Sequence, residues 1–178
     1  MVLGNDQRAV ESYGEKHSTN PKKQIMNEEL KAFQKYFDLR EVVSKKTFDR
    51  YQQQAWQFFD PRLLAVVVWL RDGMKIPLVC NNWAKGGKFD ERGFRSNLDP
   101  LCLEKTKAGK LYCTAHGRGQ GIDLSSGKAS ANEIRQWIRK NINSCPYAIR
   151  LENDKSAPTW CHIDVCNTTD KKLVEFSV

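Results

Sequence analysis

The chain has 178 residues, of which 40% are hydrophobic, and its formal net charge at pH 7 is +8. This composition predicts one globular domain with a sizeable core and excludes a disordered or low-complexity protein. The longest apolar run, Leu63 to Leu70, is far shorter than the ~20 residues that a membrane-spanning helix needs, so no transmembrane segment is predicted.

The N-terminal residues are predicted to precede the folded domain. Residues 1–25 are polar, and we interpret them as an extension to a single domain at 26–178. They lack the basic start, apolar centre and cleavage site of a secretory signal, so the protein is expected to be cytoplasmic at synthesis. The chain is expected to become helical near residues 25–37.

The first half of the domain contains a well-delimited helix and a predicted strand. Asp60 is suited to the N-cap, Pro61 to the first turn and Gly73 to the C-terminal stop of this helix. Because the helix is apolar on nearly all sides, it is expected to be buried at the centre of the fold. Residues 75–83 are predicted to form a short strand with Pro77 near its start.

The second half is predicted to contain a helix and several strands. A glycine-rich loop at 84–97 and a hairpin-like region at 107–113 come first. A capping box from Ser130 to Glu133 begins the helix, whose apolar stripe consists of Ile134, Trp137, Ile138 and Ile142. The predicted strands are residues 121–124, 147–152 and 159–165. This irregular order of elements favours an α+β fold with a mostly antiparallel sheet flanked by helices.

Charge and cysteine content restrict the partners that are expected. A positive charge favours anionic partners, but the basic residues form no run longer than two and no nucleic-acid-binding motif occurs. No nucleic-acid partner is therefore predicted, and the sequence does not indicate an oligomeric state. The six cysteines include no C-x-x-C pair, so free thiols are expected rather than disulfides or a cysteine zinc site.

Alternation along the last predicted strand places a histidine on its polar face. The side chains of one face are Trp160, His162 and Asp164, and those of the other are Cys161, Ile163 and Val165. Because the second set is uniformly apolar, it is expected to face the core. His162 is therefore predicted to point away from the core.

A second histidine lies close in sequence to a carboxylate with apolar neighbours. Asp123 stands between two apolar residues on a predicted central strand, where a carboxylate is unfavourable unless it is paired or binds a cation. Three glycines between His116 and Asp123 allow the histidine to fold back beside the carboxylate. Together with His162 these residues would suffice as ligands of a catalytic Zn²⁺ ion with water in the fourth position.

The alternative is that the two histidines are unrelated and that Asp123 is a turn residue. The chain has three histidines, and the third, His17, lies in the polar extension. Finding two of the three in such contexts favours a metal site, but periodicity alone leaves both interpretations open.

Two short motifs surround the candidate ligands. Thr114, His116, Gly119 and Asp123 match S-x-H-x-x-G-x-A-x-D, with Thr for Ser and Gly121 for Ala; Trp160, His162, Ile163 and Asp164 match W-x-H-I-D. In these residues the chain resembles the zinc D-Ala-D-Ala carboxypeptidase family (M15 peptidases). The resemblance implies a hedgehog/DD-peptidase fold and a zinc ion bound by His116, Asp123 and His162.

The resemblance also implies roles for neighbouring residues. Gly93 to Ser96 match a third family element, G-[YF]-R-[ST], whose arginine contacts the substrate and the developing oxyanion, a task that suits a guanidinium. The alternative for Arg95 is a surface arginine. Asp164 and Trp160 are expected to adjoin the ligands, Asp164 as a hydrogen-bond partner of a ligand or, equally, as a surface carboxylate.

The general base is less clearly indicated. Many family members carry Glu or Asp three residues before the second ligand histidine, but Thr159 occupies that position here. We expect Glu152, which closes an apolar strand, to be the base, with Asp154 in the following polar turn as the alternative.

The resemblance implies a zinc metallopeptidase that hydrolyses peptidoglycan peptides, as a D-Ala-D-Ala carboxypeptidase or as an endopeptidase of stem peptides or cross-links. The single domain and the missing export signal suit a phage lysin released to the cell wall or carried in the virion. The alternative is a non-catalytic module of the same fold, stabilised by zinc, that binds the wall or a protein. A basic nucleic-acid-associated protein has no local support in the sequence.

Overall fold

A four-stranded mixed sheet packs with helices in the residues that the computed structural model describes, 28–167 and 169–178. The α+β class is therefore as predicted. The predicted extension at 1–25 and the first residues of the helix expected at 25–37 lie outside the described residues. Helix bounds are α1 (residues 28–33), α2 (Lys45–Tyr51), α3 (Pro61–Met74), α4 (Pro100–Lys107) and α5 (Ala131–Asn141).

Helix α3 begins as predicted but ends beyond the predicted stop. The Asp60 side chain accepts a hydrogen bond from the backbone N–H of Arg62, and Pro61 occupies the first turn. The helix continues through Gly73 and ends where Lys75 adopts a left-handed conformation with φ 56°. Gly73 instead allows a close approach, because a Cβ atom there would lie 2.3 Å from the ring of Trp137.

The strands are β1 (Gly121–Leu124), β2 (Ile149–Glu152), β3 (Cys161–Asp164) and β4 (Leu173–Phe176), in the order β1-β3-β2-β4. β3 pairs antiparallel with both β1 and β2, whereas β2 and β4 run parallel. The sheet is therefore mixed rather than mostly antiparallel, and β1 lies at its edge rather than at its centre. β4 was not among the predicted strands.

Two other predicted elements are wrong. Residues 75–83 form no strand; only Val79 pairs, through reciprocal backbone hydrogen bonds of 2.7 and 2.9 Å with Ser125. The hairpin-like region at 107–113 is instead the end of α4, a turn at Gly109 and an irregular segment. Helix α4 was missed, although Asp99 and Pro100 repeat the Asp-Pro start that identified α3.

The buried apolar side chains form one cluster that includes residues of α3, of α5 and of the sheet. The apolar side chains of α3 are buried together with alternate residues of β1 and β3. Cys161, Ile163 and Val165 are at most 2% exposed, as the period-two pattern predicted. None of the six cysteines forms a disulfide, and three of them are buried. None of the described helices is long and apolar enough to cross a membrane.

Arg135 on α5 is fully buried and holds the segment that joins β2 to β3. Its guanidinium donates to the carbonyl oxygens of Glu152 (2.8 Å), Ala157 (2.6 Å) and Trp160 (2.6 Å). The apolar stripe predicted for this helix does not include Arg135. Its hydrogen-bond partners are backbone atoms far along the chain, which the pattern of the helix does not reveal. Arg135 thus fixes the backbone between the candidate base, Glu152, and the start of β3.

Substituting Arg135→Met is expected to destabilise the protein by at least about 3 kcal/mol, since two buried carbonyl groups and one partly buried one would each lose a charge-assisted partner worth ~1–3 kcal/mol. Urea unfolding measures the difference. The matched control is Arg139→Met on the same helix, where a partly exposed ion pair with Glu175 is lost, and the expected change is under about 1 kcal/mol. Equal effects of the two substitutions would contradict this assignment.

Candidate metal centre

Three separate elements bring the candidate ligands together. Asp123 on β1 and His162 on β3 are direct partners across the antiparallel pair. His116 begins a 3-10 turn, His116–Arg118, that leads back to β1. This turn closes at Gly119, which has φ 67° and donates its N–H to the carbonyl of His116 at 3.1 Å. The glycine permits this left-handed conformation, and the turn sets His116 beside the two strands.

The three ligand atoms form a compact triangle. His116 Nε2 lies 3.1 Å from His162 Nδ1 and 3.4 Å from Asp123 Oδ1, and His162 Nδ1 lies 2.8 Å from Asp123 Oδ1. Neighbouring ligand atoms of a tetrahedral ion with bonds of about 2.0 Å are roughly 3.3 Å apart. The triangle is therefore of the size that one such ion requires.

Hydrogen bonds behind the ligands direct their electron pairs into the triangle. His116 Nδ1 lies 2.8 Å from the carbonyl oxygen of Gly93, which can only accept, so Nδ1 carries the hydrogen and Nε2 is free to bind a metal. His162 Nε2 lies 3.2 Å from Asp164 Oδ2 and donates to that carboxylate, so Nδ1 of the neutral ring faces the triangle. With both rings neutral, three electron-pair donors would converge, and a bound cation would relieve their repulsion.

This group could therefore hold a metal ion. His116, Asp123 and His162 are only 4%, 6% and 7% exposed, so solvent contributes little to balancing their charges. Two imidazoles and one carboxylate suit zinc, and three protein ligands leave one position for water or substrate.

In the metal-free protein a proton takes part in this cluster. Burial lowers the pKa of His162, but its hydrogen bonds with Asp123 and Asp164 outweigh burial and raise that pKa to about 9. Burial raises the pKa of Asp123, yet the two histidines hold it below its usual range. Burial lowers the pKa of His116, which favours its neutral form. A metal ion at this site would therefore compete with a proton on His162.

Asp164 is fully buried and connects His162 to an arginine. Arg150 on β2 donates two hydrogen bonds to its carboxylate, at 2.8 and 2.9 Å, and the backbone N–H of Cys166 donates a third. Burial raises the pKa of Asp164, but His162 and Arg150 lower it to about 2. The carboxylate stays ionised and orients the His162 ring; the alternative of a surface carboxylate does not apply.

Arg95 contacts a ligand rather than the outer surface. Its guanidinium lies 3.2 Å from Asp123 Oδ2, the carboxylate oxygen that the histidines do not contact. It also lies 3.2 Å from the hydroxyl oxygen of Tyr112. Its Nε donates to the carbonyl of Glu91. These contacts hold the positive charge of Arg95 beside the triangle of candidate ligand atoms.

A cavity of about 500 Å³ opens over the ligands. Glu152 and Trp160 line it, whereas Asp154 is exposed and does not. Among the described residues the Glu152 carboxylate has no hydrogen-bond partner, and burial raises its pKa. Of the two carboxylates considered as general base, only Glu152 faces the cavity.

Comparison with known proteins identified no relative of this chain. No family model, curated protein or solved structure matches the chain. The likeness to zinc D-Ala-D-Ala carboxypeptidases therefore depends on the short motifs around His116, Asp123 and His162.

Three residues of the cavity wall that contact predicted site residues were not themselves predicted from the sequence. Tyr112 orients Arg95, Arg150 orients Asp164, and Phe176 on β4 packs edge-on to the His162 ring at 5.9 Å. The alternation of β2 places Arg150 and Glu152 on one face and could have indicated the arginine. Phe176 had no such signal, because its place depends on the parallel pairing of β4.

Gly93 connects the metal centre to the core. A Cβ atom there would lie 1.9 Å from the carbonyl oxygen of Val42, a backbone atom that cannot rotate away. We expect Gly93→Ala to destabilise the fold by about 1–3 kcal/mol and to weaken zinc binding, because displacing this residue moves the carbonyl that orients His116. Thermal unfolding and zinc titration measure the two effects.

The matched control for this prediction is Gly127→Ala, where an added Cβ atom would meet no atom within 4 Å. This variant is expected to retain both properties. A Gly93→Ala protein with normal stability and zinc affinity would contradict the prediction.

Proposed function

We propose that this protein is a zinc-dependent peptidase that hydrolyses amide bonds of bacterial peptidoglycan peptides. The observation that carries the proposal is the convergence of His116 Nε2, Asp123 Oδ1 and His162 Nδ1 in a cavity that Glu152 also lines, whose carboxylate has no hydrogen-bond partner among the described residues. The donor set supports zinc, and the free carboxylate supports hydrolysis. The wall peptide as substrate rests on the motif resemblance.

The chain's own side chains supply the acid–base chemistry. Zinc bound by these ligands would polarise the amide carbonyl and lower the pKa of a water molecule. Glu152 accepts the proton of the attacking water and returns it to the leaving amine. Its buried position, which raises the pKa of the carboxyl group, makes it a stronger base when ionised.

Arg95 provides the fixed positive charge near the reaction centre. Contacts with Glu91, Tyr112 and Asp123 hold its guanidinium in place before a substrate binds. A pre-positioned cation stabilises developing negative charge on the amide oxygen without reorganising. The contact with Asp123 also balances the charge of the carboxylate ligand, so this arginine acts on both substrate and metal site.

The second candidate is a non-catalytic module in which zinc only stabilises the fold. The deep burial of the three ligands and their connection to Arg95 and Asp164 favour it, since structural sites are closed and rigid. Structural zinc sites nearly always have four protein ligands, however, whereas this group has three. The open cavity and the free Glu152 carboxylate favour the peptidase.

Metal analysis combined with mass spectrometry of digested muropeptides tests the proposal. The purified protein is expected to contain about one zinc per chain and to release products that differ from the starting muropeptides by hydrolysed amide bonds. The masses identify the bond and so distinguish a carboxypeptidase from an endopeptidase. Zinc at full occupancy without any product would support the non-catalytic module, and full digestion by metal-free protein would exclude the zinc mechanism.

A further inference from the structure

The hydroxyl group of Tyr112 in the cavity wall uses its oxygen but not its hydrogen. Tyr112 is half-buried and lines the cavity over the candidate ligands. Arg95 Nη1 donates a hydrogen bond to Tyr112 Oη at 3.2 Å, so the phenol oxygen is the acceptor in this contact. A phenol can accept and donate at the same time. Among the described residues none accepts a hydrogen bond from the Tyr112 hydroxyl, so its hydrogen is available to a molecule in the cavity.

The contact with Arg95 places this hydroxyl close to a metal ligand. Nη1 of the guanidinium binds Tyr112, and Nη2 lies 3.2 Å from Asp123 Oδ2. The two terminal nitrogens of the planar fork are about 2.3 Å apart, so Tyr112 Oη lies at most about 9 Å from that carboxylate oxygen. This distance leaves room for one amide group between the hydroxyl and the triangle of candidate ligand atoms.

Arg95 has enough other contacts to keep its position without Tyr112. Its Nε donates to the carbonyl of Glu91, its Nη2 pairs with Asp123, and its backbone N–H donates to the carbonyl of His116 at 3.3 Å. The guanidinium in turn polarises the phenol, because a hydroxyl that accepts a hydrogen bond becomes a stronger donor. The Tyr112 hydroxyl is therefore both held in place and strengthened as a donor by the neighbouring cation.

We propose that Tyr112 is a catalytic residue that donates a hydrogen bond to the amide oxygen during hydrolysis, beside Arg95. When water adds to the amide carbon, one water proton passes to Glu152 and the π electrons of the carbonyl move onto its oxygen. The Tyr112 hydroxyl donates to this oxyanion and keeps its own proton. Such a hydrogen bond strengthens as the negative charge develops, so it accelerates the reaction rather than binding the substrate. This inference rests on the proposed peptidase function and adds a catalytic residue to it.

Two replacements of Tyr112 in the zinc-loaded full chain test this inference. Tyr112→Phe removes the hydroxyl and keeps the ring. The second replacement introduces a difluorotyrosine with fluorine on both ring carbons next to the hydroxyl. Its phenol is more acidic than that of tyrosine, loses its proton near neutral pH and can then only accept. Tyr51 receives the same two changes as the matched control, because it is also half-buried but lies on α2 outside this cavity.

Hydrolysis of muropeptides gives kcat and KM, and calorimetry gives the affinity for a phosphinate that replaces the amide of D-alanyl-D-alanine. The phosphinate carries a charged oxygen on a tetrahedral centre, so its binding tests the donor without hydrolysis. We expect Tyr112→Phe to lower kcat about 10²-fold and to change KM less than about threefold. Phosphinate binding should weaken about tenfold or more, with zinc content unchanged.

The fluorinated protein distinguishes donation by Tyr112 from mere orientation of Arg95. If Tyr112 donates, kcat should fall relative to the wild type as pH rises through the pKa of the fluorinated phenol, and phosphinate binding should weaken in parallel. A tyrosine that only orients Arg95 predicts no such loss, because a phenolate binds the guanidinium more tightly. Both Tyr51 variants should follow the wild-type profile.

The outcomes separate this inference from the proposed function. If Tyr112→Phe equals the wild type in kcat and phosphinate affinity, or if the fluorinated protein shows no loss at high pH, the inference is overturned while hydrolysis by the wild type still supports a peptidase. If phosphinate binding depends on the Tyr112 hydroxyl but no protein hydrolyses a muropeptide, the donor site stands and the peptidase proposal fails. A wild type that neither binds the phosphinate nor hydrolyses muropeptides overturns both.

Discussion

Alanine at His116 or Asp123 is expected to abolish both zinc binding and muropeptide hydrolysis. Each substitution removes one of three ligand atoms that lie 2.8–3.4 Å apart, and two remaining ligands do not hold a zinc ion against buffer and water. Zinc content after dialysis should fall from about one per chain to background, and muropeptide products should fall below detection.

The matched control for the ligand variants is Asp154→Ala, because this aspartate is exposed and lies outside the cavity. It should retain zinc and activity. Near-ultraviolet circular dichroism of each variant with and without zinc separates loss of metal from loss of fold. A His116→Ala protein that keeps a full equivalent of zinc would show that the ion, if bound, lies elsewhere.

Glu152→Gln is expected to reduce kcat by roughly 10²–10⁴-fold, the usual contribution of a general base, while zinc content is unchanged. Glutamine keeps the shape of glutamate but cannot accept the proton of the attacking water. Glu152 is 8% exposed, and its carboxylate forms no hydrogen bond with the three ligands, so the substitution should leave the metal site intact. Single-turnover hydrolysis of purified muropeptides measures the effect.

The matched control for this prediction is Asp154→Asn, which changes the other carboxylate of the same segment. We expect this variant to have wild-type turnover. Unchanged turnover in Glu152→Gln would remove the catalytic role of this residue. Combined with full zinc occupancy and no product from the wild type, it would favour the non-catalytic module.

Local signals in the sequence predicted those parts of the fold that are held together locally. The Asp60 cap fixed the start of α3, and the Ser130 capping box fixed that of α5, because both act through neighbouring backbone groups. Alternation in β3 correctly separated the core-facing side chains from the face that carries His162. The candidate ligands could be found from the sequence because two of them lie on strands. The third lies close in sequence to one of those strands.

Features that depend on distant contacts were missed or misassigned. The segment 75–83 has the composition of a strand, but it meets a partner only at Val79. Strand β4 is only half-buried and forms by parallel pairing with β2, which no local pattern reveals. The buried role of Arg135 likewise depends on carbonyl groups at 152–160. Such contacts are decided by packing and not by the residues' immediate neighbours.

The direct pairing of Asp123 with His162 across β1 and β3 has a consequence for assembly of the protein. A shift of the two strands by one residue would turn one ligand toward the opposite side of the sheet, and the site would no longer exist. An ion bound by these residues would therefore add its binding energy only to chains in which the two strands are correctly aligned.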